Sequence, residues 1–399
     1  MSPYLVVLIM LVVFAIYEYR KGKSQDGLYW IAFSVLGMML CFRYAQGTDY
    51  YGYYINFLQT PEIWSPLELI TTKIHGEVGW TLLCSICRGF AVPFPALVFV
   101  ISIFEMYCIH RFISGWCPLR VVALALIYPT IFLTYTMSAL RQGMVMLFFL
   151  GFMLQWICQN KWKSYLIATF VCALFHSSAV VFLVLFAVYW IRLDGKTALI
   201  LVALSAVCGW MCSFLLPKIS SVFATYAYSS FSIMAIGERV ASLAVILYIF
   251  WGDLKRKEHT KLWLLLQVYL YGMIIYAFLM WNALISSRFN IYFKAVEIML
   301  FTTALIRPER FPGIRCHKRD AVAVYLLLLM VVMYFKNINS YIIQGEYIDE
   351  INVINYPYLT IFNISEARIW RAVPYDFFEY LHGYGNLNAV SCDLPQYLN

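Results

Sequence analysis

The stretch "SALRQGMVMLFFLGFMLQWICQNKWKS", residues 138–164, decides the class of fold. It opens at a polar break carrying Arg141, continues through an apolar run over 140–158, and ends in a loop holding Lys161 and Lys163. A run of that length, charged only at Arg141 beside its start, matches the roughly 20 residues needed to cross a bilayer. Lysines just past its end mark that end as cytoplasmic and leave Arg141 at the external one. The whole chain repeats the theme: 63% of its 399 residues are hydrophobic and 13% charged, whereas soluble domains carry about 25% charged residues. The expected fold is an all-α polytopic integral membrane protein. The formal charge of +8, from 29 Lys+Arg against 21 Asp+Glu, reads as basic loops facing anionic lipid and not as a nucleic-acid partner. The eleven cysteines fall mostly singly in apolar runs. Cys84 and Cys87, a C-x-x-C in "WTLLCSICRG", read as neighbours on a helix face and not as a redox or metal pair.

Apolar length gives about twelve candidate crossings, near 4–19, 28–43, 94–112, 121–135, 140–158, 163–175, 179–191, 197–216, 240–251, 262–281, 285–306 and 321–335. The first 21 residues lack a basic n-region and carry their positive charge after the apolar run, so this run reads as a membrane helix and not as a cleavable leader. The loops "YRKGKSQDG", "QNKWKS", "DLKRKEH" and "RPERFPGIRCHKRD" are expected on the cytoplasmic side, which puts both termini outside. Residues 78–91 are too short to cross comfortably and would reverse this parity, so they read as a re-entrant or surface helix. Residues 162–191 read either as a hairpin turning at His176, or as one long tilted helix with a compensating crossing near 220–236. The domain plan is a membrane domain over 1–335 with an external cavity, and an extracytoplasmic tail over 336–399.

Ionisable residues at membrane depth cost a few kcal/mol or more and call for a partner or a function. Arg43 with Asp49, Glu77, Arg141, Glu238 with Arg239, and Arg288 qualify, joined by His176 in "LFHSSAV". All are expected on the external side, where converging helices would line one arginine-rich cavity. Each has a plain alternative. Arg43 and Arg288 can snorkel to headgroups, Glu238–Arg239 can be a local pair, and His176 can satisfy backbone groups at a turn. Tyr50, Tyr51, Tyr53 and Tyr54 in "GTDYYGYY" can be interfacial belt aromatics. Arg141 is harder to set aside, because a guanidinium at a helix start opposes the helix dipole unless an anion is present. Several arginines, carboxylates and tyrosines together suit a lipid-linked sugar pyrophosphate: guanidinium forks match phosphate oxygens, and rings pack on sugar faces. No D-x-D pair of the kind that holds a metal and a nucleotide-sugar is present.

"GTDYYGYY" from Gly47, "GEVGWTLL" from Gly76, "SALRQGMVM" from Ser138, "LFHSSAVV" from Leu174 and "RFNIYF" from Arg288 resemble, in order, the motifs of the EpsG-like family of bacterial polysaccharide polymerases, the Wzy type. The resemblance covers about 43–293; "GEVGW" lacks the proline of the more usual E-P-G-[FY] pattern but keeps Glu77. It implies a multi-pass protein of the bacterial inner (cytoplasmic) membrane. The implied activity is a glycosyltransferase that joins undecaprenyl-pyrophosphate-linked oligosaccharide repeat units on the external face, with neither metal nor cofactor. A chain-length regulator and a flippase are the implied partners. In that reaction Arg141 and Arg288, then Arg43 and Arg239, would clamp pyrophosphate. Asp49 or His176 would be the general base, with Glu77 positioning an arginine or a sugar hydroxyl. Tyr50, Tyr51, Tyr54 and Trp80 would form a sugar platform, and Glu238 and Gln142 would complete the binding set. A flippase for the same lipid-linked sugar or a membrane O-acyltransferase using His176 are the rival readings. The first should show repeat symmetry, and the second needs a cytoplasmic acyl-donor route.

Overall fold

In the computed structural model, residues 1–71, 76–219, 232–256, 260–306, 317–344 and 351–363 are described. Among them there is no strand, only an isolated antiparallel bridge between Arg43 and Thr360. Among the described residues seven helices are long and apolar enough to cross a membrane, or eight if the bent pair Ala283–Lys294 and Glu297–Ile306 is one span. The chain is a multi-pass membrane protein, but about twelve crossings is more than helix length supports. Four expected crossings are shorter helices: Asp26–Cys41, Arg120–Thr136, Trp162–Phe175 and Ser177–Phe186. At 1.5 Å per residue, 14 residues such as Trp162–Phe175 reach only about 21 Å of a hydrocarbon layer ~30 Å thick. The compensating crossing near 220–236 and the loop "RPERFPGIRCHKRD" lie largely outside the described residues.

The chain divides into two compact units. Unit 1 takes Met1–His110, Leu119–Met144 and Val324–Asn399. It contains α1 (Pro3–Lys21), α2 (Asp26–Cys41), α3 (Tyr50–Gln59), α4 (Pro66–Thr71), α5 (Val78–Gly89), most of α6 (Phe94–Trp116) and α7 (Arg120–Ile127). At 12 residues α5 is too short to span. The α7 backbone widens into a π-helix at Tyr128–Thr136, beginning where Pro129 lacks an N–H to give. Its carbonyls are taken by side chains one turn apart on the helix His317–Gln344. Asn337 Nδ2 donates to Pro129 O at 2.5 Å, and the Tyr341 hydroxyl donates to Leu133 O. That helix runs past residue 335, where the sequence suggested a tail, to Gln344. Residues 351–363 then pack back on the ends of α1 and α2. Ser2 N donates to Ile354 O at 2.5 Å, Tyr44 N to Leu359 O at 3.0 Å and Ile361 N to Phe42 O at 3.0 Å.

Unit 2 takes Arg111–Pro118 and Val145–Ala323, and so receives most of α8 (Leu140–Cys158). Residues 162–191 form the hairpin alternative. The helix Trp162–Phe175 ends at His176, whose backbone is extended (φ −151°, ψ 114°), and a 3-10 helix Ser177–Phe186 turns back. Tyr165 OH donates to Phe182 O at 2.8 Å across the two arms. The helix Lys261–Leu279 is the buried centre, with every residue from Trp263 to Met273 buried. Thr260 caps its start by accepting from Trp263 N at 3.1 Å. Gln267 on this helix exchanges a pair of bonds with the Leu193 backbone, at 2.8 and 2.9 Å, which fixes the chain leaving the hairpin.

Close approach within unit 2 depends on Gly272, where an added Cβ would overlap Phe293 Cβ. Gly272→Ala is therefore expected to lower the melting temperature of the purified protein by several degrees, since overpacking costs typically 1–3 kcal/mol. Gly27→Ala, at a position with nothing within 4 Å, should leave it unchanged; equal melting of both variants would contradict this packing.

Candidate functional site

Three of the motifs meet in unit 1. Gly47 has φ +85°, and a Cβ there would lie 2.5 Å from Met137 O and 2.7 Å from Ser138 Oγ. Only glycine lets this loop lie on the break before α8. The contact is then fixed by Thr48 N donating to Ser138 Oγ at 2.9 Å. Asp49 follows at the exposed edge, with Oδ1 accepting from Thr48 Oγ1 at 2.9 Å and its carbonyl accepting from Tyr53 N at 3.0 Å. Arg141 occupies the first turn of α8, where the helix dipole opposes a cation. The compensating anion is Glu77, the residue before α5, whose carboxylate binds Arg141 Nη1. Both side chains keep some access to solvent, 18% and 21% exposed. The Arg141 guanidinium also lies 5.5 Å from the Tyr53 ring centroid, a cation–π distance, and Trp80 packs edge-on to that ring at 5.4 Å.

The expected platform residues turn inward. Tyr50, Tyr51, Tyr54 and Trp80 are buried in one core cluster. Tyr54 stacks on Phe94 at 4.9 Å and Tyr50 packs on it at 5.4 Å. Burial pushes the Tyr50 phenol well above its ordinary range. It raises Tyr53 as well, with Arg141 opposing, so both are neutral at physiological pH. Burial likewise pushes the Cys84 thiol up to about 12, out of the reactive thiolate range. Gln142 is buried beside Arg141.

Arg43 sits under the same break, 1% exposed. Nη1 donates to Leu40 O at 2.6 Å and Ser102 Oγ at 2.7 Å, and Nη2 to Thr136 O at 3.0 Å. One turn beyond Ser102 on α6 is Glu105, fully buried, which sequence reasoning missed. Its carboxylate makes no hydrogen bond among the described residues and lies in the field of Arg43. Gly143 leaves the room it needs: a Cβ there would come 2.6 Å from Tyr135 O and 2.7 Å from Glu105 Oε1. Arg43, Glu105 and Gly143 thus set the end of the π-helix that leads into Arg141.

Unit 2 holds the remaining motifs. His176, half-buried, is the turn of the hairpin, accepting from Ala179 N at 2.9 Å. Ser178 Oγ and Tyr292 OH are 2.6 Å apart, which joins "LFHSSAVV" to "RFNIYF". Arg288, half-buried, lies on the same helix as Tyr292. Glu238 is bound on both sides, by Arg239 Nη1 at 3.1 Å and by Lys294 Nζ at 2.7 Å. Arg239 also sits 5.0 Å from the Tyr276 ring centroid. Lys294 ends Ala283–Lys294 and Glu297 begins Glu297–Ile306, so each charge complements the dipole of its own half-helix at a 43° bend. Sequence reasoning missed both, although the rule that singled out Arg288, a charge inside an apolar run, applies equally to them.

Removing one member of a buried pair costs roughly 3–5 kcal/mol because it strands the other. Lys294→Met should therefore melt well below the parent, and Lys294→Met with Glu238→Gln should recover part of that loss. Strictly additive losses in thermal melts would show that the pair carries no coupling.

Among the described residues no group of three or more His, Cys, Asp or Glu side chains that could hold a metal ion is found. No curated protein and no solved structure matches the chain. The family model of the EpsG family matches residues 26–358, which takes in all five motifs and both charge clusters. A polytopic helical chain with these motifs in this order, matched over most of its length, belongs to the EpsG family.

Proposed function

We propose that the protein is a polysaccharide polymerase, a glycosyltransferase that joins oligosaccharide repeat units carried on undecaprenyl pyrophosphate at the external face of the bacterial cytoplasmic membrane. The observation that carries this reading is Arg141, a cation at the positive end of α8, held by one accessible carboxylate, Glu77. A helix start with a guanidinium is a strong site for a phosphate, which can take the place of the carboxylate or share the fork with it. The growing chain is the donor, bound through its anomeric carbon to the pyrophosphate. A hydroxyl of the incoming repeat unit attacks that carbon, the new glycosidic C–O bond forms, and the bond to pyrophosphate breaks with its electron pair staying on the leaving phosphate oxygen. Arg141 takes up the charge that develops there. The hydroxyl proton passes to Asp49, whose carboxylate is exposed beside the Arg141 break, with His176 as the alternative base. Arg43 and Glu105 act through the backbone as positioning residues. Tyr53 and Trp80 form the wall on which Arg141 rests. A chain-length regulator and a flippase act with the protein.

The test is a gel ladder of polysaccharide in cells lacking their own polymerase, complemented at matched membrane levels. Wild type should restore the ladder. Arg141→Ala should leave the single-repeat band, a loss of about 10²–10³ in rate if one charge-stabilising donor is removed, and Arg141→Lys should retain part of it. Whichever of Asp49→Asn and His176→Ala also abolishes the ladder identifies the base. If no repeat unit reaches the external face without the protein, it is a flippase and the proposal fails.

A further inference from the structure

A feature of unit 2 takes no part in the chemistry above and rests on none of it. Between the C-terminal end of α6, the last turn of α8 and the start of Lys261–Leu279 is a cavity of about 540 Å³, within the range of ligand sites. Its lining has three chemistries. Lys261 supplies a cation, with Nζ 5.5 Å from the Trp116 ring centroid. Gln155 and Gln159 supply amides, and Ile157, Val188 and Leu264, all buried, form an apolar wall. Among the described residues no carboxylate lines the cavity and Lys261 has no ion-pair partner.

Its place in the chain narrows the ligand. Two of its lining residues, Gln159 and Asn160, open "QNKWKS", one of the basic loops that charge bias assigns to the cytoplasmic side, and Lys161 and Lys163 of that loop are exposed. The cavity also lies where two predicted spans end, the level at which lipid headgroups sit, and it is flanked by the indoles of Trp116 and Trp263. A basic pocket between membrane helices at the cytoplasmic surface is chemistry for an anionic headgroup. A soluble phosphate would use the cation and amides but leave the apolar wall bare, whereas a phospholipid covers the wall with its glycerol and first methylenes. We propose that this cavity binds the headgroup of an anionic phospholipid, with the phosphodiester at Lys261.

The full chain, purified in detergent, would be mixed with phosphatidylglycerol, phosphatidylethanolamine or soluble glycerol phosphate, and bound species counted by native mass spectrometry. Phosphatidylglycerol should be retained at least tenfold over phosphatidylethanolamine. Lys261→Gln should remove that preference, Lys261→Arg should keep it, and Lys23→Gln, at an exposed lysine of unit 1, should leave it unchanged. Thermal melts matched to wild type establish that the variants fold. Equal retention by wild type and Lys261→Gln would overturn the assignment. So would displacement by glycerol phosphate at the lipid's own concentration, which would mark a soluble-phosphate site. Because the readout is lipid retention, it stands or falls apart from polymerase activity.

Discussion

A guanidinium placed at the positive end of a helix, in a chain made to lie in lipid, must have an anion. Arg141 meets this demand through Glu77, and much of unit 1 can be understood as the means of keeping the two together. The Gly47 loop lies on the break before α8 because glycine allows it, and the Thr48 amide fixes it to Ser138. Helix α5, too short to cross, carries Glu77 at its head. Buried aromatics from α3, α5 and α6 pack beneath. The ion pair keeps enough solvent access for an anionic ligand to reach it, unlike Arg43, whose guanidinium is spent on two carbonyls and a serine hydroxyl.

Low-dielectric surroundings impose the same logic elsewhere, with different solutions. Glu18, buried near the end of α1, accepts from Val122 N at 2.9 Å and so caps α7, which has no cap of its own. Gln267 satisfies both backbone groups of Leu193. Lys294 and Glu297 sit at the ends of two half-helices whose dipoles favour them, and Glu238 joins Lys294 to Arg239. Glu105 is the exception, a fully buried carboxylate without a hydrogen bond among the described residues, answered only by the nearby charge of Arg43. A group left in that state beside the break that holds Arg141 has its cost met by the geometry it maintains.

Apolar length made the helices legible in the sequence: a helix stands at each of the twelve runs. The number of crossings was not legible: the turn at His176 was among the readings, but the apolar runs at 28–43, 121–135, 163–175 and 179–191 form helices shorter than a span, and a widening such as that at Pro129 leaves no mark in hydropathy. The juxtaposition of "GTDYYGYY", "GEVGW" and "SALRQ" was partly legible, since charges in lipid must find one another. Glu105, Lys294 and Glu297 escaped notice because their apolar neighbours dominate any average. The direction of the tyrosines was hidden for another reason. Tyr50, Tyr54 and Phe57 share a helix face only if residues 50–59 are helical, and the run of polar hydroxyls masks that period.

The most direct measurement is equilibrium binding of undecaprenyl pyrophosphate to the full chain in lipid nanodiscs, comparing wild type with Arg141→Gln and Glu77→Gln. If Arg141 is a phosphate site held by Glu77, Arg141→Gln should weaken binding by about tenfold to a hundredfold, the worth of a charge-assisted contact of roughly 1.5–3 kcal/mol. Glu77→Gln should bind at least as tightly as wild type, since it removes the competing carboxylate. Equal affinity of wild type and Arg141→Gln would show that the ion pair is purely structural and would contradict the account.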